Sequence, residues 1–149
     1  SVGIGTWSVF YGPFDDEKKM QWAKLTPIEA RILIEEGLRG AKLFGKLAKK
    51  RGKNYWIAQE YAYASGMNAL AGIKFLLMQD VISNAGRPNR TLAKRIKVFG
   101  EQLKAYYPQY EEFWLARNRV AELGDIRARI KGVLVECKRL SRQLGLKKA

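Results

Sequence analysis

The chain has 149 residues, the length of one domain of ordinary size, and at that length a core forms without disulfide or metal staples. It holds one cysteine, Cys137, and no histidine, which excludes a disulfide framework, a Cys/His zinc site and every catalytic arrangement built on an imidazole. Against 14 Asp and Glu stand 28 Lys and Arg, a net charge of +14, while 47% hydrophobic residues mark a globular chain and not a basic disordered tail. A charge of that size repels itself in the compact state and points to an anionic partner: nucleic acid, an anionic membrane surface or an acidic protein.

Residues 1–25 read as an irregular arm, without the charged start of a secretory signal. Gly3, Gly5, Gly12 and Pro13 break regular structure, and Trp7, Phe10, Tyr11 and Phe14 lie between them. Asp15, Asp16 and Glu17 cancel Lys18, Lys19 and Lys24. Such an arm either folds back on its own core or reaches onto a neighbour. Each large apolar side chain is worth ~1.5–3 kcal/mol when buried, so the arm is expected to dock on a second subunit or on nucleic acid.

Thr26-Pro27-Ile28-Glu29 predicts a helix start: a capping threonine, a proline at the first helical position and a glutamate that completes a capping box. This helix is expected to run to about Arg51, with Gly52 beyond it. Gly37, Ala41, Gly45 and Ala48 fall at helical spacing and make a smooth face, suited to close approach of another helix or of a phosphate chain. A second helix is predicted over Tyr55–Ile82, with only Glu60, Lys74 and Asp80 as charges. Ser65, Asn68 and Lys74 argue against a membrane span, so it reads as the buried centre of a bundle.

Asn84, Gly86 and Pro88 mark a turn. A third helix, Arg90–Tyr107, is expected to end at Pro108, with Leu92, Ile96, Phe99, Leu103 and Tyr106 as its apolar stripe. The last region runs from Gln109 to Leu144. Gly124-Asp125 splits it, Asp125 caps its second part, and Ile126, Ile130, Val133, Cys137, Leu140 and Leu144 repeat at helical spacing. The expected class is all-α: four to five helices around a buried central helix, with an extended arm over 1–25 and one helical domain over 26–149.

The charge is segregated. Residues 1–25 sum to 0 and 54–86 to −1, while 26–53, 87–108 and 109–149 each carry +5. Arg39, Lys42, Lys46, Lys49 and Lys53 step by 3 and 4 along one helix face, in line with Arg31 and Glu35, and Lys50 and Arg51 extend the run. Arg90, Lys94 and Lys97 repeat the pattern, with Arg95 beside them and Arg87 in the turn before. Arg127, Lys131, Lys138 and Arg142 form a third face, with Arg117 and Arg119 upstream. Lysines and arginines can simply solvate a bundle, but a merely soluble surface mixes both signs. Most i, i+4 positions along these faces lack an acid, and phosphate backbones match that pattern. Without an RNP motif, zinc finger or helix-turn-helix, the expected contacts are to phosphate and sugar, indifferent to sequence.

Little else carries chemistry. Glu35/Glu36, Glu111/Glu112 and Asp15/Asp16 are sequence neighbours that do not converge on a helix face. Cys137 falls in an apolar stripe and reads as an inert core thiol. Tyr106, Tyr107 and Tyr110 flank Pro108 and read as a packed corner between helices, with base stacking as the other use of such rings. No catalytic, metal or cofactor site is expected.

An N-terminal arm over Ser1–Leu25, a helical bundle and basic helix faces together resemble the small α-helical nucleocapsid proteins of filamentous viruses that infect hyperthermophilic archaea. That resemblance implies a structural virion protein whose subunits, identical or paralogous, pair and wrap double-stranded DNA, with the stripes of 26–53 and 87–108 along the duplex. The neutral arm departs from it, since a basic arm would suit a clasp on DNA. The apolar stretch from Asn68-Ala69-Leu70 to Leu76-Leu77 is similar to the central helix of small CRISPR-effector subunits, which implies a ribonucleoprotein instead. The bundle also resembles HEPN-type proteins, but their nuclease motif needs a histidine that is missing here. An accessory subunit of an organelle complex, with acidic protein or lipid partners, is the third alternative.

Overall fold

The computed structural model describes residues 4–24, 26–117 and 123–146. They form six helices: α1 (Ile4–Tyr11), α2 (Glu17–Ala23), α3 (Pro27–Lys49), α4 (Tyr55–Asn84), α5 (Arg90–Arg117) and α6 (Leu123–Gly145). No strand occurs among the described residues, and the class is all-α. The chain divides into two compact units, one of residues 1–25 with 74–149 and one of residues 26–73.

In the unit of residues 26–73, α3 opens on the expected capping box. The Glu29 amide donates to Thr26 Oγ1 at 3.2 Å and the Thr26 amide donates to Glu29 Oε2 at 3.0 Å, with Pro27 in the first turn. The helix then meets the first part of α4 backbone to backbone. A Cβ added at Gly37 would lie 2.5 Å from the Ser65 carbonyl oxygen and 2.7 Å from the Ala69 nitrogen, and one at Gly72 would lie 2.6 Å from the Ala30 carbonyl oxygen. Only glycine permits this approach. Tight helix packing is therefore what the small-residue face does at Gly37, while Gly45 on the same face has nothing within 4 Å.

In the other unit, α5 and α6 form an antiparallel pair. The Asn89 amide donates to the Leu144 carbonyl at 2.8 Å at one end, Gly100 lies against Cys137 midway, and Arg127 pairs with Glu111 at the other end. Asn89 caps α5 by accepting from the Leu92 amide at 3.0 Å. Leu92, Ile96, Phe99 and Leu103 are buried, as are Ile130, Val133, Cys137, Leu140 and Leu144. Both expected stripes therefore face a core.

Three expectations need correction. Residues 1–25, read as an irregular extended arm, carry α1 and α2, the latter capped by Asp16, whose carboxylate accepts from the Lys19 amide at 3.1 Å. Phe10 and Phe14 are fully buried and meet Phe99 edge-on, with centroids 6.4 and 6.0 Å away. The rings bury within the chain, and that gain outweighs the helix penalty of Gly5. Second, Pro108 does not end α5, which continues to Arg117. The turn after the proline is held by half-buried Tyr110 and Phe113 and by Glu111, which accepts from Arg127 of α6 at 2.7 and 3.1 Å. Third, α6 starts at Leu123, so Asp125 lies in its first turn and is not its cap, facing the positive end of the helix dipole. The first turns of α4 are also less buried than an all-round apolar helix implies: Trp56 and Tyr61 are exposed.

Candidate functional site

The antiparallel packing of α5 on α6 leaves a groove of about 890 Å³ between them. Its cations are Arg90, Lys94, Lys97 and Lys104 from α5 and Lys131, Lys138 and Arg142 from α6; Glu101 is its one acid. The rest of the lining is small or apolar: Ala93, Gly100, Leu134, Val135, Cys137, Ser141 and Gly145. Helical periodicity builds the two rows, because residues 3, 4 and 7 apart share a face. At ~1.5 Å per residue the α5 row is about 21 Å long and the α6 row about 17 Å. The narrow floor has a local cause as well. A Cβ at Gly100 would lie 3.1 Å from the Cys137 Cβ, so the helices close up there. Burial pushes the Cys137 thiol up to about 12, which leaves it protonated and unreactive.

Four predicted residues meet in this groove: Arg90, Lys94, Lys97 and Lys131. Lys138 and Arg142, read as part of the same face as Lys131, join them. Lys104 is an addition; its signal was the seven-residue interval from Lys97, two turns on, with Glu101 breaking the run of lysines. Other predicted residues lie elsewhere. Arg95 donates to Asp80 at 2.7 Å, and Arg127 is bound at both ends of the Glu111 carboxylate. The bond from Arg127 holds the Glu111 carboxyl below its ordinary value. Arg87 donates from Nε to the Asn84 carbonyl at 3.1 Å, inside the α4–α5 turn. The Arg117 side chain and Arg119 lie outside the described residues.

The remaining predicted cations belong to the unit of residues 26–73. Arg31, Arg39, Lys42, Lys46, Lys49, Lys50, Arg51 and Lys53 are all exposed. Arg39 lies 3.3 Å from Glu36, and the Arg51 guanidinium sits 4.6 Å above the Tyr55 ring. Among the described residues no group of three His, Cys, Asp or Glu is placed to hold a metal ion, and no helix is long and apolar enough to cross a membrane.

Comparison with protein families, with curated proteins and with solved structures finds no match. Fold and charge geometry therefore carry the functional argument: an all-α protein with a cation-lined groove between two antiparallel helices.

Proposed function

We propose that this protein is a non-enzymatic nucleic-acid-binding protein that coats a duplex through its phosphates, without reading sequence. The observation that carries the proposal is the α5/α6 groove, where seven cations and one acid line a concave strip. Surface cations that merely solvate a bundle sit beside acids, as Arg95, Arg127 and Arg139 do with Asp80, Glu111 and Glu136. The groove concentrates one sign instead, which raises the local concentration of an anionic chain. Five of its cations are lysines. An ammonium is a point charge that meets phosphate well but lacks the fork with which arginine reads guanine edges. A row of about 21 Å spans roughly six base-pair steps of one strand at ~3.4 Å each. The repeated-subunit role implied by the resemblance to filamentous-virus nucleocapsid proteins belongs to this proposal, with double-stranded DNA as the favoured polymer.

The test is the variant Lys94→Gln, Lys131→Gln, Lys138→Gln in the full chain. Glutamine is a good helix former and the three sites are exposed, so helicity is expected to persist. Affinity for duplexes of unrelated sequence should fall together, and electron micrographs of wild-type protein with long DNA should show uniform filaments that the variant does not form. Undiminished duplex affinity in the variant removes the groove from the interface. Binding to RNA duplex alone, in finite particles, favours the ribonucleoprotein reading.

A further inference from the structure

The outer face of α3 leaves large aliphatic side chains in solvent. Ile28, Ile32, Leu43 and Leu47 are each more than half exposed, on the side of the helix away from buried Ala30, Gly37 and Ala48. With Glu36, Arg39 and Lys50 they step by 4, 4, 3, 4, 4 and 3, an 11-residue repeat that holds one ridge on one side of a nearly straight helix. The ridge has a symmetry that solvation does not require. Ile28 and Leu47, Ile32 and Leu43, and Glu36 and Arg39 are equivalent positions about the point midway between Gly37 and Leu38. Acids occupy the first half of this face, at Glu29, Glu35 and Glu36, and cations the second, at Arg39, Lys46 and Lys50.

We infer that the outer face of α3 is a self-pairing surface, on which α3 of a second copy of this chain packs antiparallel about a two-fold axis level with residues 37 and 38. A two-fold contact uses one patch twice, so each half of the patch must complement the other. In this register Ile28 faces the partner's Leu47 and Ile32 faces the partner's Leu43, and the four exposed aliphatic residues of each copy leave water together. Glu36 comes level with the partner's Arg39, and Glu35 falls on the same side of the pair as the partner's Arg39, one residue out of level. Arg39 lies 3.3 Å from Glu36 of its own helix, and both are exposed, so the two ion pairs form one four-charge cluster at the axis. A parallel pair would instead set Glu36 beside the partner's Glu36 and the acidic halves on each other. An anionic bilayer is the rival occupant, since exposed Ile28, Ile32 and Leu38 beside cations are what an interfacial helix uses. Such a helix keeps its charges on the face opposite its apolar one, and here the opposite face of α3 is covered by α4. Glu36, Arg39 and Lys46 lie within the ridge itself, and the three acids of the face oppose an anionic surface. Leu38 lies about 80° or more round the helix from each aliphatic residue of the ridge, on the flank of Arg31, Lys42 and Lys49, and does not widen it. The contact would serve the repeated subunit proposed above, but it rests on α3 alone and not on the groove.

The experiment uses the full chain without nucleic acid, at about 0.5 M salt, where a Debye length of ~4 Å screens the repulsion between two chains of charge +14. Sedimentation equilibrium is expected to give twice the 17.0 kDa chain mass. Ile32→Gln with Leu43→Gln keeps the net charge and suits a helix, and should weaken association by about tenfold or more. Disulfides read the register. Ile32→Cys with Leu43→Cys should link two copies on oxidation, since residues 32 and 43 of one helix are ~16 Å apart and cannot bridge each other. Ile32→Cys alone should not, because the two copies of residue 32 are also ~16 Å apart in this register. A monomeric wild type overturns the inference, and this readout needs no variant to fold. So does a dimer unmoved by the glutamine variant, a link through the single cysteine, or no link in the double-cysteine variant. Binding of a monomeric chain to phosphatidylglycerol vesicles, lost in the glutamine variant, gives the face to a bilayer and overturns it too. A monomer that still binds duplex sinks this inference and leaves the groove reading; a dimer without duplex affinity does the reverse.

Discussion

Lys74 shows how much one side chain decides. It is fully buried, and its Nζ donates to the carbonyls of Val9, at 3.3 Å, Phe10 and Gly12, between the rings of Phe14 and Phe10 at 5.0 and 5.6 Å. The Val9 and Phe10 carbonyls belong to the last turn of α1, where the helix dipole is negative, and the ammonium joins the Gly12 amide, which donates to Val9 at 3.1 Å, in capping that end. Lys74→Met keeps the volume and removes all three donors. The expected loss is about 2–4 kcal/mol in chemical unfolding, with faster amide exchange in residues 4–14. Burial pushes Lys74 down to about 7 from its ordinary 10.5, against the opposing pull of Cys137 and Glu136 and with some help from Lys19. The folded chain then binds fewer protons than the unfolded one above pH 7, so stability should rise with pH from 7 to 9, by at most about 1.4 kcal/mol per unit. Above pH 9 Cys137 works the other way, because its thiol is pushed up to about 12 and the unfolded thiol loses its proton first. A flat profile between pH 7 and 9 would mean that the three carbonyls hold the ammonium against desolvation. Nothing in the sequence pairs Lys74 with residues 9–12: the partners are backbone atoms more than 60 positions away, and carbonyls have no sequence signature.

At the scale of elements, periodic signals were legible and single-residue punctuation was not always obeyed. The capping box at Thr26, the stripe from Leu92 to Leu103 and that from Ile130 to Leu144 are local patterns repeated over several turns, and the structure follows each. Pro108 is one local signal, worth ~3 kcal/mol against a helix, and packing of α5 on α6 overrides it. Pro108→Ala should therefore stabilise the chain by about 1–3 kcal/mol in thermal unfolding without changing its helix content. A loss of stability would show that the proline shapes α5 to fit α6. The glycines of α3 divide the same way. Gly37→Ala should destabilise by about 1–3 kcal/mol, since its Cβ would press on the Ser65 carbonyl, whereas Gly45→Ala should gain up to about 1 kcal/mol. Both lie on one small-residue face in the sequence; only the position of α4 tells them apart. The aromatic segment around Phe10 was ambiguous for a related reason, because composition shows that rings need burial and not whose core receives them.

For the whole molecule, +14 is a statement about partners, and the fold sharpens it by sorting the cations. The sequence placed positive charge on three segments; packing of α5 against α6 merges two of them into one groove, while the run of residues 46–53 stays with the α3–α4 hairpin. Which arginines are already committed to acids could not be read from spacing, since Arg127 and Glu111 are 16 positions apart and Arg95 and Asp80 are 15 apart. The most direct measurement is the salt dependence of affinity for a random-sequence duplex. If the seven groove cations neutralise phosphates, log K against log salt should have a slope of about −6 that is equal for unrelated sequences, and the Lys94, Lys131, Lys138 glutamine variant should lower its magnitude by about 2.7, or ~0.9 per lost contact. A slope near zero, or one unchanged in the variant, would contradict phosphate binding in the groove.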